Sequence, residues 1–599
     1  MAHDGLSQLR SRKVGRPAGA GQPRRNLVAL VVLAVFLLVG CSGVPQSSRP
    51  EVVRTLGGNA TPTAPEVAPT PGAGPRDIVL GFLNATANSS DANHSGARQF
   101  LTTQAGSKWQ DTSVTIVADF QAQAQNVNAP DSSSVVVNYQ QVGSLDAAGV
   151  YAPTLTGSGT ALNSTETFTL AKVNGQWRIS EPPNGVIITR TTFDAKYNAQ
   201  KIYFFNAAQT KLVPDVRYSA LTDQSALAKW VLIQLVAGPQ PQLSQAVKSA
   251  MPDQVDGRPP SISLKDTVDI ELPGSAQLND KSQTLLATQL ANTFSEFNFS
   301  STFRLLDSGN PVDVPFVGTV FSPSNFSIGV ASPTHSAQSF YLFDGGLIDG
   351  TTNKPLPGPV GNGAYDLTSV AVRRAENGSL QIAGRGSAGL LIGTSAALAP
   401  VRLPPGAIGR PEWQPGTTNV WVGVGDSIYR VGANQKFTEF PLPAPLSGVP
   451  GGKIDVIRFS PDGVRVAVIA RGGGGHQSLW IGSLSQTTTT SGLDNFQQIT
   501  PNDMSVDDVA WTTATSLAMI ASTPGDAAQA WEIQSDGYAR ETMSTGGDLP
   551  RGLLAVAAAP DAPGQPVAVS SDDPAAVWIQ AGQQWTPLAS RGSQPTFAQ

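Results

Sequence analysis

The feature that most constrains the fold is an internal repeat in the second half of this 599-residue chain. Apolar phrases of four residues begin at Phe340, Leu390, Val420, Leu479, Ala530 and Val577. Successive phrases start 50, 30, 59, 51 and 47 residues apart. The mean spacing of about 47 residues is the size of a four-stranded propeller blade. Residues 313–599 are therefore predicted to form an all-β, propeller-like domain of five to seven blades, with the 30-residue interval interpreted as a degenerate blade.

The clearest predicted blade runs from Ile454 to Gly482. Within it, the sequence Ser-Pro-Asp-Gly at 460–463 is typical of a turn between two apolar strands. The acidic residue of this turn, Asp462, is interpreted as a structural turn residue, and a cation ligand is the alternative. Four of the six phrases contain a tryptophan that we expect in a blade core, namely Trp421, Trp480, Trp531 and Trp578.

The start of the chain has the pattern of a secretory signal. Six basic residues precede thirteen consecutive apolar residues, Leu27–Val39, and this order is that of a signal peptide. A helix of that length spans about 20 Å, which is too short for the roughly 30 Å hydrocarbon core of a bilayer. The pattern therefore favours an export signal over a membrane-spanning helix.

The apolar run ends in Leu38, Val39, Gly40 and Cys41, and these four residues resemble the lipobox of bacterial lipoproteins. The resemblance implies that residues 1–40 are a cleaved signal peptide and that Cys41 carries a diacylglyceryl group and an acyl chain such as palmitate. Two or more acyl chains anchor a protein stably, at about 0.8 kcal/mol per buried CH₂. An uncleaved signal anchor with a buried Cys41 is the alternative.

Removal of residues 1–40 makes the chain more acidic. It takes away six basic residues and one acidic residue, which leaves 33 Lys and Arg against 43 Asp and Glu, a net charge of −10. This balance argues against a nucleic-acid-binding surface. Because Cys41 is the sole cysteine, neither a disulfide nor a thiolate metal site is expected. Residues 41–75 lack aromatic side chains and are rich in Ser, Pro, Thr, Gly and Ala, so they are predicted to be a flexible tether behind the lipid.

Residues 76–195 are predicted to form an α+β domain. Apolar residues at helical spacing follow Pro75, and alternating strand patterns follow Trp109. The run Phe168–Pro183, with Asn174 and Gly175 in its tight turn, resembles the last hairpin of cone-shaped domains of the NTF2-like family. Enzymes with this cone need acidic or basic groups in its mouth, whereas the only histidine of this stretch is His94.

Residues 196–312 are predicted to form a second α+β domain. Two strand patterns around Tyr203 and Leu212 precede an apolar helix that ends at Gly238 and Pro239. Tyr-Phe-Phe at 203–205, Leu-Val-Pro at 212–214 and Arg217 resemble the GerMN domain of spore germination proteins. The resemblance implies a binding or packing module. Arg217 is interpreted as a salt-bridged surface arginine, with contact to an acidic ligand as the alternative.

Patterns that suggest catalysis are weak. His3, His94, His335 and His476 lie too far apart in sequence for a zinc motif. Gly384, Gly386 and Gly389 match a dinucleotide-binding pattern, but short strands flank them on both sides, so a hairpin loop is predicted.

Two further segments have alternative interpretations. Asp507 and Asp508 are the best candidates for the carboxylate pair of a glycoside hydrolase, although a solvated loop is favoured. The glycine-rich stretch 471–476 is either a partner-binding loop or a slack connection. No catalytic, cofactor-binding or metal-binding residue is predicted, and the chain is not expected to be an enzyme.

The order of lipobox, tether, NTF2-like domain, GerMN domain and propeller resembles the LpqB family of actinobacterial lipoproteins. That resemblance implies a lipid-anchored protein on the outer face of the cell membrane. It also implies a partner, the extracytoplasmic sensor domain of an Mtr-type histidine kinase, whose signalling affects cell division and cell-wall homeostasis. The alternative function is an envelope protein that binds or hydrolyses cell-wall glycans or peptides. Neither a nucleic acid nor a cofactor is expected.

Overall fold

A computed structural model describes residues 68–599 except 89–92, 126–129, 156–162, 253–257, 330–336, 450, 487–490, 544–548, 550–551, 561, 563 and 582–583. The described residues form an N-terminal α+β domain, a central α+β domain and a C-terminal β-propeller. This is the multidomain architecture that the sequence predicts.

In the N-terminal domain, one long helix covers a curved sheet. The helices are Pro75–Asn88, Ser95–Arg98, Thr103–Lys108 and Arg190–Lys196. The strands are β1 Val114–Gln125, β2 Ser132–Leu145, β3 Tyr151–Pro153, β4 Asn163–Val173, β5 Gln176–Glu181 and β6 Val186–Thr189. The sheet order is β5-β4-β2-β1-β6, and β3 pairs with β2. Asn174 and Gly175 have φ angles of 53° and 77° and form the predicted β4–β5 turn.

The central domain packs two helices against two small sheets. Its helices are Gln224–Ala237 and Asp280–Ser295, with a short 3₁₀ turn at Ser275–Gln277. The strands are β7 Asn198–Asn206, β8 Leu212–Ser219, β9 Val247–Lys248, β10 Ser261–Ser263, β11 Val268–Glu271, β12 Phe303–Asp307 and β13 Asn310–Pro311. The sheet orders are β8-β7-β9 and β10-β11-β12-β13.

Helix ends in the central domain follow from local sequence. The Asp223 side chain accepts a hydrogen bond from the Ala226 N–H at 2.8 Å and caps the first helix. Gly238 ends that helix with a φ of 95°, a conformation that glycine tolerates best. Beyond β13, Val314 and Phe321 are still buried in the core of this domain.

The described residues of the propeller form six four-stranded blades. From the inner strand outwards, the first blade is β37 Ser593–Phe597, β14 Ser339–Phe343, β15 Gly346–Asp349 and β16 Lys354–Pro355, and the second is β17 Ser369–Arg374, β18 Leu380–Gly386, β19 Gly389–Thr394 and β20 Ala397–Pro400. The third is β21 Glu412–Trp413, β22 Val420–Val424, β23 Ser427–Val431 and β24 Phe437–Pro441, and the fourth is β25 Lys453–Phe459, β26 Arg465–Arg471, β27 Gln477–Gln486 and β28 Ser491–Gln498. The fifth is β29 Ser505–Trp511, β30 Ser516–Ser522, β31 Gln529–Gln534 and β32 Arg540–Thr542, and the sixth is β33 Leu553–Ala558, β34 Val567–Asp572, β35 Ala575–Ala581 and β36 Gln584–Ala589. Two 3₁₀ turns, Pro323–Asn325 and Leu446–Gly448, lie in connections.

The two ends of the propeller segment meet in the first blade. The C-terminal strand β37 pairs with β14 and supplies the inner strand of that blade. β37 also contacts β17 and β33, which are the inner strands of the two neighbouring blades. The six inner strands therefore form a closed ring around a central channel. Closure of the ring places the inner edge of each blade at the centre of the propeller, where it is protected from pairing with another chain.

The interpretation of the 30-residue interval as a degenerate blade is wrong. The second and third blades, on either side of this interval, both have four strands. The interval is short because the Leu390 phrase lies on β19, a third strand, whereas the Val420 phrase lies on β22, a second strand. The expected core position is confirmed for Trp421 and Trp480, but Trp531 and Trp578 are only partly buried.

Candidate functional site

A network of charged side chains crosses the propeller channel. Asp508 on β29 is buried, and its carboxylate lies 2.6 Å from Arg410 Nη1 and 3.6 Å from Arg458 Nη2. Arg458 on β25 also lies 3.5 Å from Glu412 on β21. The Val556 N–H of β33 donates to Asp508 at 2.9 Å. The network therefore ties four inner strands together.

The C-terminus completes this network. The Gln599 side chain, which follows β37, donates to Glu412 Oε1 at 2.8 Å. Burial raises the pKa of Glu412, and the charge of Arg458 opposes that rise. Buried charges need partners, and the partners of Asp508 and Glu412 lie on strands of other blades. The side chains that cross the channel therefore hold the blades together.

One face of the propeller carries a second layer of charges around the channel opening. We call it the mouth face and define it by Arg385, Asp455, Arg471 and Asp507. Arg471 at the end of β26 pairs with Asp455 at 2.7 Å. The backbone N–H of Arg410 donates to the Asp455 carbonyl oxygen at 2.8 Å. The preceding residue, Gly409, permits this close approach, because a Cβ at position 409 would lie only 2.8 Å from the same oxygen.

The mouth face is shaped by β-bulges in three consecutive inner strands. The register shifts by one residue in β25, β29 and β33, and the extra residues are Asp455, Asp507 and Leu554. A bulge redirects the side chain of the extra residue and often lies beside a functional site. Leu554 is accordingly 42% exposed although it belongs to an inner strand.

On the opposite face of the propeller, all three domains meet at two tyrosines. Tyr538 from the β31–β32 turn packs against Tyr151 and Phe193 of the N-terminal domain, with ring centroids 5.3 and 5.0 Å apart. Its hydroxyl donates to Asp194 at 2.5 Å. Tyr218 at the end of β8 lies 5.1 Å from the Tyr538 ring.

We call this region the three-domain junction and define it by Tyr151, Phe193, Tyr218, Asp536 and Tyr538. The Tyr218 hydroxyl donates to Asp536 at 2.8 Å. Burial raises the pKa of Asp536, although hydrogen bonds from the Tyr538 N–H and the Tyr218 hydroxyl oppose the rise. Burial also raises the pKa of Tyr218 well above its usual value.

Polar contacts extend the junction between the central domain and the propeller. The Arg465 guanidinium donates to the Pro214 carbonyl at 2.6 Å, and the Lys211 ammonium donates to the Pro461 carbonyl at 2.6 Å. Asn495 on β28 donates to the Pro241 carbonyl at 3.3 Å. The fourth and fifth blades therefore contact the central domain.

Asp462 has the structural role favoured from the sequence. Its carboxylate accepts hydrogen bonds from the Ser460 hydroxyl at 2.5 Å and the Val464 N–H at 2.9 Å, which closes the turn between β25 and β26. The interpretation of Arg217 as a surface residue is wrong. Arg217 is buried and forms a bidentate pair with Asp215 at 2.7 and 2.9 Å, because the N-terminal domain covers it and accepts a hydrogen bond at the Ala148 carbonyl.

Asp507 and Asp508, the candidate carboxylate pair, have different surroundings. Asp508 is held in the channel network, whereas Asp507 is directed to the mouth face. The favoured solvated loop is wrong as well, because both residues belong to the inner strand β29. The glycine pattern at 384–389 lies in the β18–β19 hairpin, as predicted.

The remaining candidates are separate from one another. The stretch 471–476 forms the β26–β27 turn, closed by a hydrogen bond from the Gly472 N–H to the His476 carbonyl. His94 lies 3.2 Å from Asp111. Among the described residues, no group of three His, Cys, Asp or Glu side chains has the arrangement of a metal site. His3, His335 and the lipobox residues Leu38, Val39, Gly40 and Cys41 lie outside the described residues.

Neither the junction nor the bulges are among the features predicted from the sequence. The bulges have a sequence signal, because Ile-Asp-Val-Ile at 454–457, Val-Asp-Asp-Val at 506–509 and Leu-Leu-Ala-Val at 553–556 occupy equivalent blade positions. Tyr218 and Tyr538 have none, because an aromatic residue that packs between domains has the same local sequence as one in a core. No helix in the described part of the chain has the length and apolar character needed to cross a membrane.

Comparison with known proteins gives a match for each domain. Family models match residues 68–194 as "Lipoprotein LpqB, N-terminal domain", residues 201–313 as "Sporulation and spore germination" and residues 345–598 as "Lipoprotein LpqB beta-propeller domain". Among solved structures, a gluconolactonase from Xanthomonas campestris has 12% sequence identity and a TM-score of 0.30, and it covers 44% of this chain and 89% of its own. That likeness is too low to support any functional argument.

Whole-chain relatives agree with the domain matches. Lipoprotein LpqB of Mycolicibacterium smegmatis is 30% identical over 472 residues, which cover 75% of this chain and 79% of the relative. Lipoprotein LpqB of Rhodococcus jostii is 28% identical over 474 residues, which cover 75% and 77%. With 30% identity over 79% of the Mycolicibacterium smegmatis protein, the chain belongs to the LpqB lipoprotein family.

Proposed function

We propose that this chain is a lipid-anchored accessory protein on the extracytoplasmic face of the cell membrane. It binds the sensor domain of a histidine kinase of an Mtr-type two-component system and modulates its signalling, and thereby affects cell division and cell-wall homeostasis. The protein acts by binding rather than by catalysis. Membership of the LpqB family and the lipobox pattern before Cys41 support the anchored location.

The observation that carries this proposal is the three-domain junction. Tyr218 and Tyr538 join rings and hydroxyls from all three domains, so the propeller is held at a fixed position relative to the N-terminal domain. The N-terminal domain directly follows the predicted tether, and the propeller lies farthest along the chain. Domains that are packed together at the end of a flexible tether would present a defined surface at high local concentration to a membrane-bound partner.

The two buried carboxyls of the channel support binding over hydrolysis. Asp508 and Glu412, the buried carboxyls of the channel, are held by arginines and by backbone or amide donors. A hydrolase needs a carboxyl group that is free to exchange a proton with its substrate. The channel carboxyls instead have a structural role.

The direct experiment is a binding measurement between the purified, detergent-solubilised lipoprotein and the purified extracytoplasmic domain of the partner kinase. We expect a Kd in the micromolar range or tighter at 150 mM salt, as is typical of specific signalling contacts of roughly 1,200 Å² or more. The extracytoplasmic domain of an unrelated sensor kinase is the control. Equal binding to both domains, or to neither, would contradict the proposal.

The alternative function is tested on the same preparation. An envelope protein that binds or hydrolyses the cell wall would sediment with purified peptidoglycan or clear it in a zymogram. We expect neither result, and clearing of the gel would replace the binding proposal with the hydrolase.

A further inference from the structure

Arg385 on the mouth face is a half-buried cation without an ionic partner. Its Nε donates to the Thr368 hydroxyl and its Nη1 donates to the Ile408 carbonyl, each at 3.0 Å. Among the described residues, no carboxylate forms an ion pair with Arg385 within 4 Å. Burial lowers the pKa of Arg385, the nearby charge of Arg410 lowers it further, and the charge of Asp455, which is paired with Arg471, opposes this. The guanidinium therefore retains donor capacity, and the one carboxylate that acts on it is already paired with another arginine.

Asp507 on the same face is the matching unpaired anion. When the Gln477 side-chain amide is oriented with its nitrogen towards Asp507, this nitrogen donates a hydrogen bond to Asp507 Oδ1 at 3.2 Å. The nearest arginines are engaged elsewhere, because Arg410 pairs with Asp508 and Arg471 pairs with Asp455. Within the described residues, Asp507 has no ion pair of its own. Burial raises the pKa of Asp507, while the charges of Arg410 and Arg471 oppose that rise.

Two unpaired charges of opposite sign at one channel opening require an explanation. A half-buried charge without a partner costs folding free energy, and folded proteins usually pair or expose such groups. The bulge in β29 directs Asp507 towards the opening instead of leaving it in the strand register. The next bulge adds the exposed aliphatic side chain of Leu554. The mouth face thus offers a cation, an anion and an apolar contact.

We propose that the mouth face binds a peptide segment that carries one acidic and one basic side chain, with the acidic group paired to Arg385 and the basic group to Asp507. A ligand with negative charge alone would pair with Arg385 but would be repelled by Asp507. A ligand with positive charge alone would pair with Asp507 but would be repelled by Arg385. The planar guanidinium of Arg385 suits a carboxylate. The proposed function assigns no surface of the chain, and this inference does not depend on which protein supplies the segment.

The contacts between the domains, as far as the structure describes them, lie on the other face of the propeller. Pro461, Asp536 and Tyr538, which contact the other domains, lie on turns that follow the inner and third strands. Arg385, Arg471 and Gln477 lie at the turns between second and third strands. Because successive strands are antiparallel, these two sets of turns are on opposite faces of the propeller.

The test is fluorescence anisotropy with a labelled octapeptide of alternating Glu and Lys, which presents both charges at several spacings. The full-length lipoprotein is used in neutral detergent. We expect saturable binding that weakens at least about tenfold with Arg385→Gln and with Asp507→Asn, because each variant removes one ion pair with the peptide. Arg385→Lys keeps the charge and is expected to bind between these limits. Lys354→Gln is the control, because it removes an exposed positive charge at the β15–β16 turn, which follows a third strand and is on the opposite face of the propeller.

Two comparisons separate recognition from loss of structure and from general charge attraction. Thermal unfolding of Asp507→Asn should begin at or above the wild-type temperature, because the variant removes an unpaired charge. Octaglutamate and octalysine should each bind at least about tenfold more weakly than the mixed peptide. Absence of binding by the mixed peptide, equal binding by octaglutamate, or an equal loss in Lys354→Gln would each overturn the proposal.

Discussion

At the scale of single residues, Tyr538 links the domains. Its ring contacts Tyr151, Phe193 and Tyr218, the Arg190 guanidinium lies 4.5 Å from its centroid, and its hydroxyl reaches Asp194. One side chain from a propeller turn therefore takes part in apolar, cation–π and hydrogen-bonding contacts with two other domains. Most of this contribution depends on the ring rather than on the hydroxyl.

Replacement of Tyr538 by alanine should weaken the three-domain junction. Loss of a packed aromatic ring costs on the order of 2–4 kcal/mol where the neighbours do not collapse into the space. Tyr538→Phe keeps the ring and should cost only about 1 kcal/mol through the lost hydrogen bond. Urea denaturation measures both changes. Similar losses in the two variants would show that the ring does not hold the junction.

Asp536 should make the stability of the chain depend on pH. Burial raises its pKa in the folded state, so the folded chain holds this proton more tightly than the unfolded chain. Its contribution to stability is therefore present below the unfolded-state pKa of about 4 and is lost as the pH rises through the raised folded-state pKa.

The test compares unfolding free energies of the wild type and Asp536→Asn between pH 4 and pH 7. The wild type should lose more stability over this range than the variant, which cannot titrate at this position. The difference between the two curves isolates Asp536 from Glu412 and Asp507, whose pKa values burial also raises. Parallel curves would contradict the assignment.

At the scale of elements, close contact between neighbouring blades depends on positions without a side chain. Gly423 on β22 faces the inner strand of the next blade, and a Cβ there would lie 2.3 Å from the Ile454 carbonyl oxygen. Backbone atoms cannot move aside as a flexible side chain can. The phrase Val-Trp-Val-Gly is therefore both a strand signal and a packing requirement.

Gly423→Ala should destabilise the propeller by roughly 1–3 kcal/mol, because the added methyl group overlaps backbone. Gly474→Ala is the matched control in the β26–β27 turn, where a Cβ meets no atom within 4 Å. That variant should leave the free energy of unfolding unchanged or raise it by roughly 0.5 kcal/mol. Tryptophan fluorescence during urea denaturation reports both. A neutral Gly423→Ala would contradict the described blade contact.

The elements that the sequence could predict are those with a local signal. The Asn174–Gly175 hairpin, the helix end at Gly238 and the recurrent apolar strands each depend on neighbouring residues. The blade count could not be resolved because the apolar phrase falls on the second strand in some blades and the third in others. Arg217 was assigned to the surface because nothing in its own strand indicates that another domain covers it.

At the scale of the whole molecule, the family identity indicates a membrane-anchored protein, and the structure adds direct contact among three domains. Residues 41–75 are predicted to be a tether behind the predicted anchor, Cys41, and a flexible segment of some 34 residues has a typical span of about 30 Å. Such a tether would keep the folded domains near the membrane while allowing them to reorient. Binding to a membrane partner would then depend on local concentration as well as on affinity.

Cys41→Ala should release the protein from the membrane without changing its fold. We expect the variant in the soluble extracytoplasmic fraction, with an unchanged thermal unfolding curve and with reduced signalling through the partner kinase in a reporter assay. Expression of the unaltered chain from the same promoter is the control. Normal signalling by a fully released variant would show that anchoring is not needed.

The measurement that tests the central claim most directly is crosslinking in living cells with the tagged full-length chain, followed by mass spectrometry of the captured membrane proteins. The proposed function predicts capture of the extracytoplasmic domain of a sensor kinase. The inference about the mouth face further predicts crosslinks near Arg385 and Asp507. Capture of peptidoglycan fragments alone, with no sensor domain, would contradict the account of this protein as a binding regulator.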